Sequence, residues 1–107
     1  MEQSLNTATL REHERAAVSH VLRDVLAGRG FFSHGEMETI TCWTTCRVEE
    51  FRVGLAERQW LSADEALFLT HALYHWLTAL QAGRVAAEPE TVVTLREVQR
   101  WLGASRR

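Results

Sequence analysis

Apolar positions along the chain recur at three- and four-residue steps, in blocks separated by glycine, proline and short polar stretches. Four blocks read as helices, over about residues 10–27, 34–59, 63–81 and 89–102. In the first, Leu10, Ala17, Val18, Val21, Leu22, Val25 and Leu26 keep a helical period. Thr9 and Glu12 stand as a capping box, and Gly28 and Gly30 as the stop. In the second, Ser33 and Glu36 form a box, and Phe32 and Met37 occupy the hydrophobic-staple positions. One stripe follows through Met37, Ile40, Thr44, Val48, Phe51 and Leu55. The third opens with Ser62 and Glu65. Its main face is Ala66, Leu69, Thr70, Leu73, Leu77 and Leu80, with Leu67, Phe68, Tyr74 and Trp76 outside it. A helix apolar nearly all round is expected at the centre of a bundle. The fourth begins at Pro89, carries Val92, Leu95, Val98 and Leu102 inward, and is stopped by Gly103 ahead of a frayed tail.

No block alternates with the period of two that a half-buried strand needs. The expectation is a single all-α domain, a compact antiparallel bundle of four helices with short loops. A chain of 107 residues suits one core. With 46% apolar and 24% charged residues it belongs with globular chains rather than disordered ones. No apolar run approaches the roughly 18 residues of a membrane span, and the first residues lack the apolar core of a signal peptide. A cytoplasmic protein with reduced cysteines is expected.

TCWTTC (41–46) and HALYH (71–75) raise the question of a metal site. On continuous helices, Cys42 with Cys46 and His71 with His75 would each share a face, and zinc accepts such a set. In a hairpin turning near Leu61, however, the mid-points of the two pairs are offset by about five residues, roughly 7–8 Å along the axes. A tetrahedral site does not absorb that offset. The expectation is therefore no metal and no cofactor: the cysteines are half-buried packing residues and the histidines lie on a helix face or interface. Divergent Cβ directions on one helix also disfavour a disulfide.

Catalytic motifs are lacking. There is no P-loop, nucleophile elbow or dinucleotide fingerprint, and no glutamate of 36, 38, 49 or 50 has a histidine three residues on, as di-iron bundles require. His20 and Asp24, four apart, read as a solvated pair. The chain is expected not to be an enzyme.

Two surfaces carry candidate binding chemistry. The first is the C-terminal segment. Arg96, Arg100, Arg106 and Arg107 against Glu97 give it net +3, leaving −5 for the rest of a chain whose twelve cations are all arginine. Trp101 projects away from the Val92, Leu95 and Leu102 face. Arginine beside an available aromatic suits single-stranded nucleic acid. The second surface is Phe68, His71, Tyr74 and His75, flanked by Leu67, which suits a protein partner or a homodimer if it stays exposed.

The short helical build, opened by TLRE, SHGE and SADE with one late proline and nothing catalytic between, resembles the small phage-borne inhibitors of CRISPR complexes, the anti-CRISPR proteins. That resemblance implies a stoichiometric inhibitor that binds a protein complex or its nucleic acid, and transfers no functional residue. Small transcriptional regulators fit the same description. A metal-binding helical protein is the remaining alternative.

Overall fold

Two glycines with positive φ mark where the chain reverses. At Gly28 (φ 82°) and Gly83 (φ 77°) the following N–H reaches back five residues, Arg29 to the Asp24 carbonyl at 2.7 Å and Arg84 to the Ala79 carbonyl at 2.9 Å. This left-handed cap satisfies carbonyls that the helix end leaves open. Between such stops a computed structural model, which describes residues 5–6, 10–29 and 34–105, contains five α-helices. These are α1 (Glu12–Leu26), α2 (His34–Thr41), α3 (Thr45–Gly54), α4 (Ala63–Gln81) and α5 (Pro89–Ser105). A 3-10 turn, Leu55–Glu57, follows α3. Two short strands, β1 (Leu5–Asn6) and β2 (Trp60–Leu61), pair antiparallel with Leu5 opposite Leu61 and Asn6 opposite Trp60. The all-helical expectation holds. The count of four does not, because the block read as one helix over 34–59 is two.

The break falls on TCWTTC. The Thr41 hydroxyl donates to the Met37 carbonyl at 2.7 Å and accepts from the Trp43 N–H at 3.1 Å, which turns the chain off the helix axis. Cys42 takes φ 61°, a left-handed conformation rare outside glycine, asparagine and aspartate. Thr44 then restarts the helix as an N-cap, its hydroxyl accepting from the Arg47 N–H at 3.2 Å. The turn swings Trp43 into the core and leaves Ile40 at the surface. The stripe drawn through Met37, Ile40, Thr44 and Val48 is thus cut in two.

Other boundaries differ for local reasons. Helix α1 starts at Glu12, not Leu10, because Leu10 is buried and Arg11 is extended (ψ 164°). Glu14 caps this start by accepting from the Arg11 N–H at 2.8 Å. Thr9, Phe32 and Ser33 lie outside the described residues. The Ser62 box stands as read: the Ser62 hydroxyl accepts from the Glu65 N–H at 3.1 Å and Glu65 accepts from the Ser62 N–H at 2.9 Å. Helix α5 runs past Gly103 to Ser105. One glycine costs a helix only about 1 kcal/mol, and Leu102 beside it is fully buried.

The core is one cluster built on Val18, Val21 and Leu22 of α1, Met37, Trp43, Val48 and Phe51, Phe68, Leu69, Leu73 and Trp76 of α4, and Leu95, Val98 and Leu102 of α5. Burying each large aliphatic or aromatic side chain contributes about 1.5–3 kcal/mol. Helix α1 packs on α3, α4 and α5, while α4 packs on α1, α5 and β2 and, through Phe68, on Trp43 and Phe51. One side of α4 is left open, with Leu67, Tyr74, Thr78 and Gln81 exposed.

Candidate functional site

The open side of α4 is where sequence expectation and structure meet most closely. Leu67, His71, Tyr74, Thr78 and Gln81 follow one another at three- and four-residue steps and so share one face. Tyr74 is 60% exposed and Leu67 41%. Phe68 is not on this surface. It is 2% exposed, and its ring stacks on Trp43 with centroids 4.2 Å apart and planes 11° from parallel. Phe51 meets it edge-on at 6.4 Å. The indole that the α2–α3 break drives inward covers Phe68, which is why a residue off the main apolar face is buried.

His71 and His75 are half-buried. Burial holds the His75 imidazole below the usual histidine range. Glu36 opposes that shift, and His71 and Arg84 add to it. Neither histidine meets the cysteines in a metal set. Cys42 sits in the break and Cys46 in α3, so they share no continuous helical face, and both are exposed free thiols rather than half-buried packing residues. Among the described residues no three His, Cys, Asp or Glu side chains group to hold a metal.

On its α5 side the α4 stripe drops into a groove of about 280 Å³, lined by Tyr74, Leu77, Thr78, Gln81, Arg96 and Gln99. No described carboxylate lines it. Arg96 is exposed and makes no ion pair with any described residue, and the same holds for exposed Arg100 one turn further on. Arg11 and Arg23 are likewise exposed and make no ion pair with a described residue, whereas other arginines are engaged. Arg47 pairs with Asp64, Arg52 with Glu49 at 2.6 Å, and Arg58 with Glu65. Arg15 donates to the Leu55 carbonyl at 2.6 Å. The Arg52 contact is the main reason the Glu49 carboxyl lies below its ordinary range and the Arg52 guanidinium above its own.

The chain matches no family model, no curated protein and no solved structure.

Trp101 does not join the arginines. It is half-buried and packs against the core. Five residues separate it from Arg96, a turn of about 140° around the helix, which carries it to the edge of α5 that faces α1. That edge is marked by Glu90, Thr91 and Thr94, which line a second groove with His13 and His20. Arg106 and Arg107 lie outside the described residues. Of the two surfaces read from the sequence, one member of each, Tyr74 and Arg96, is brought into a single groove. Thr78, Gln81 and Gln99 complete it and were not singled out. Their signal was present: each lies three or four residues from Tyr74 or Arg96, or continues that series along its helix.

A further polar cluster lies inside. Asp24 is not solvated with His20 as expected. It is buried at 8% exposure and accepts a hydrogen bond from the Trp76 indole N–H at 2.8 Å. His20 Nε2 stands 3.6 Å from the same carboxylate oxygen, beyond a hydrogen bond, and its ring meets Trp76 edge-on at 6.0 Å. Arg29 Nε lies 3.8 Å from the other oxygen. This cluster ties α1 to α4. Among the described residues no helix is long and apolar enough to cross a membrane.

Proposed function

We propose that this chain is a small non-enzymatic binding module whose working face is the α4–α5 groove with the α4 stripe leading into it. One observation carries the reading: an exposed tyrosine and an arginine that pairs with no described residue line the same groove, and no described carboxylate lines it. Tyrosine and arginine are the residue types that most often dominate binding energy, because each offers broad contact area with a polar end. The domain engages Arg47, Arg52 and Arg58 in its own ion pairs, whereas Arg96 and Arg100, like Arg11 and Arg23, are exposed and make no ion pair with a described residue; of these four only Arg96 lines the groove with Tyr74. A stoichiometric inhibitor of the anti-CRISPR kind would use such a face to occupy a surface of its target.

The test is photocrosslinking in cells of the native host, with a photoreactive phenylalanine replacing Tyr74 or, as a control on another surface, exposed Glu57. A macromolecular adduct formed from position 74 and absent from position 57 supports the reading. No adduct from position 74, or equal adducts from both, contradicts it.

A further inference from the structure

The chemistry of the groove narrows the ligand. Resting on the reading that the α4–α5 face is the working surface, we infer that the groove binds single-stranded nucleic acid, with Tyr74 stacking on an unpaired base and Arg96 and Arg100 contacting its phosphates.

Tyr74 is 60% exposed, and its ring meets His75 in a T-shaped contact at 5.4 Å rather than a stack. A base stacks on an aromatic face whatever its identity. Arg96 and Arg100 stand one helical turn apart, a rise of about 6 Å, so an extended strand can run along α5 and meet both. Gln81 and Gln99 each present donor and acceptor atoms, while the Thr78 hydroxyl, which donates to the Tyr74 carbonyl at 2.9 Å, keeps an acceptor site. Base edges use both kinds, whereas an acidic peptide's carboxylates use donors alone. The lining holds no described carboxylate to repel a phosphate. Glu97, adjacent in sequence, lies about 100° around the helix from Arg96, away from the groove, and flanks Arg100 three residues on. A duplex fits less well, because its bases are already stacked and leave none for Tyr74. Trp101, turned toward α1, takes no part.

The experiment is fluorescence anisotropy with a labelled twenty-residue oligothymidylate, repeated with a labelled duplex of the same length and with labelled poly-glutamate. Two phosphate contacts on a single strand give a slope of about −1.4 in log affinity against log salt, so affinity falls about sevenfold from about 50 to about 200 mM salt. Tyr74→Ala weakens binding about fivefold or more while Tyr74→Phe retains it. Arg96→Gln lowers the magnitude of the salt slope by about 0.7. Trp60→Ala, which removes an exposed aromatic elsewhere, leaves binding unchanged. The duplex binds more weakly than the single strand.

No anisotropy change at low salt with a folded protein overturns the inference. So does binding that Tyr74→Ala and Arg96→Gln leave intact. Poly-glutamate binding without oligonucleotide binding overturns the ligand class but leaves the working face standing, as does a position-74 crosslink to protein alone. Failure of oligonucleotide binding together with no position-74 adduct removes both readings.

Discussion

Trp43 and Phe68 stack face to face, 25 residues apart in sequence, with ring centroids 4.2 Å apart. Phe51 meets Trp43 edge-on at 5.7 Å, and the Arg47 guanidinium lies 3.9 Å from its ring centroid. The α2–α3 break is therefore anchored on a buried aromatic. Trp43→Ala is expected to destabilise the fold by about 3–5 kcal/mol, the range for deleting a large core aromatic. Trp43→Phe, which keeps a stacking ring, should cost less. Urea denaturation checks both through a lowered midpoint at unchanged slope. A loss below about 1 kcal/mol for Trp43→Ala would show that the indole is not a core residue.

Cys42 holds φ 61° in an exposed position, so its cost is in the backbone and little is gained from its side chain. A left-handed conformation costs a residue with a Cβ about 1–2 kcal/mol, and glycine escapes that cost at about 0.5–1 kcal/mol of extra chain entropy. Cys42→Gly is expected to be neutral or stabilising by up to about 1 kcal/mol. Cys42→Val should destabilise, because a β-branched residue tolerates positive φ worst. Thermal melts of the two variants give the order; Val more stable than Gly would contradict a left-handed break.

Asp24 is the buried acceptor for the Trp76 indole N–H. Asp24→Ala leaves that donor unmatched inside the α1–α4 contact and should cost about 1–3 kcal/mol. Asp24→Asn keeps an acceptor oxygen and should cost less than the alanine variant. Denaturation midpoints for the pair decide this, and equal losses would mean that the hydrogen bond contributes nothing.

His75 gives a pH dependence of known sign. Burial lowers its folded pKa, so the unfolded chain takes up the proton first as pH falls. The stability it contributes is full above the unfolded value of about 6.5 and is lost as pH falls through the folded value. Glu36 works against this shift, and His71 and Arg84 work with it. The difference in unfolding free energy between wild type and His75→Gln should shrink from about pH 7.5 toward about pH 5. Parallel curves would contradict the assignment.

What could be read in advance follows the range of the forces involved. The Ser62–Glu65 box and the Pro89 start are local, and each stands where the spacing puts it. The break at Cys42–Thr44 carries neither glycine nor proline. Its signal was Thr44, a good N-cap residue placed inside an apolar period, beside a Trp43 that fitted no stripe. Missing it mis-assigned Phe68, whose burial depends on where Trp43 goes. The groove was half legible. Tyr74 and Arg96 stood out as surface chemistry on separate helices, but only the packing of α5 on α4 brings them together. Trp101 was paired with its sequence neighbour Arg100, although successive helical residues point about 100° apart.

Binding at the α4–α5 face is the proposal on which the other functional readings rest. Nuclear magnetic resonance titration of labelled protein with oligothymidylate at low salt tests it most directly. The expected result is shift changes confined to Tyr74, Thr78, Gln81, Arg96, Gln99 and Arg100 and their immediate neighbours. Shifts centred instead on the exposed Val53 and Trp60 region, or on the His13–His20 groove, would contradict it.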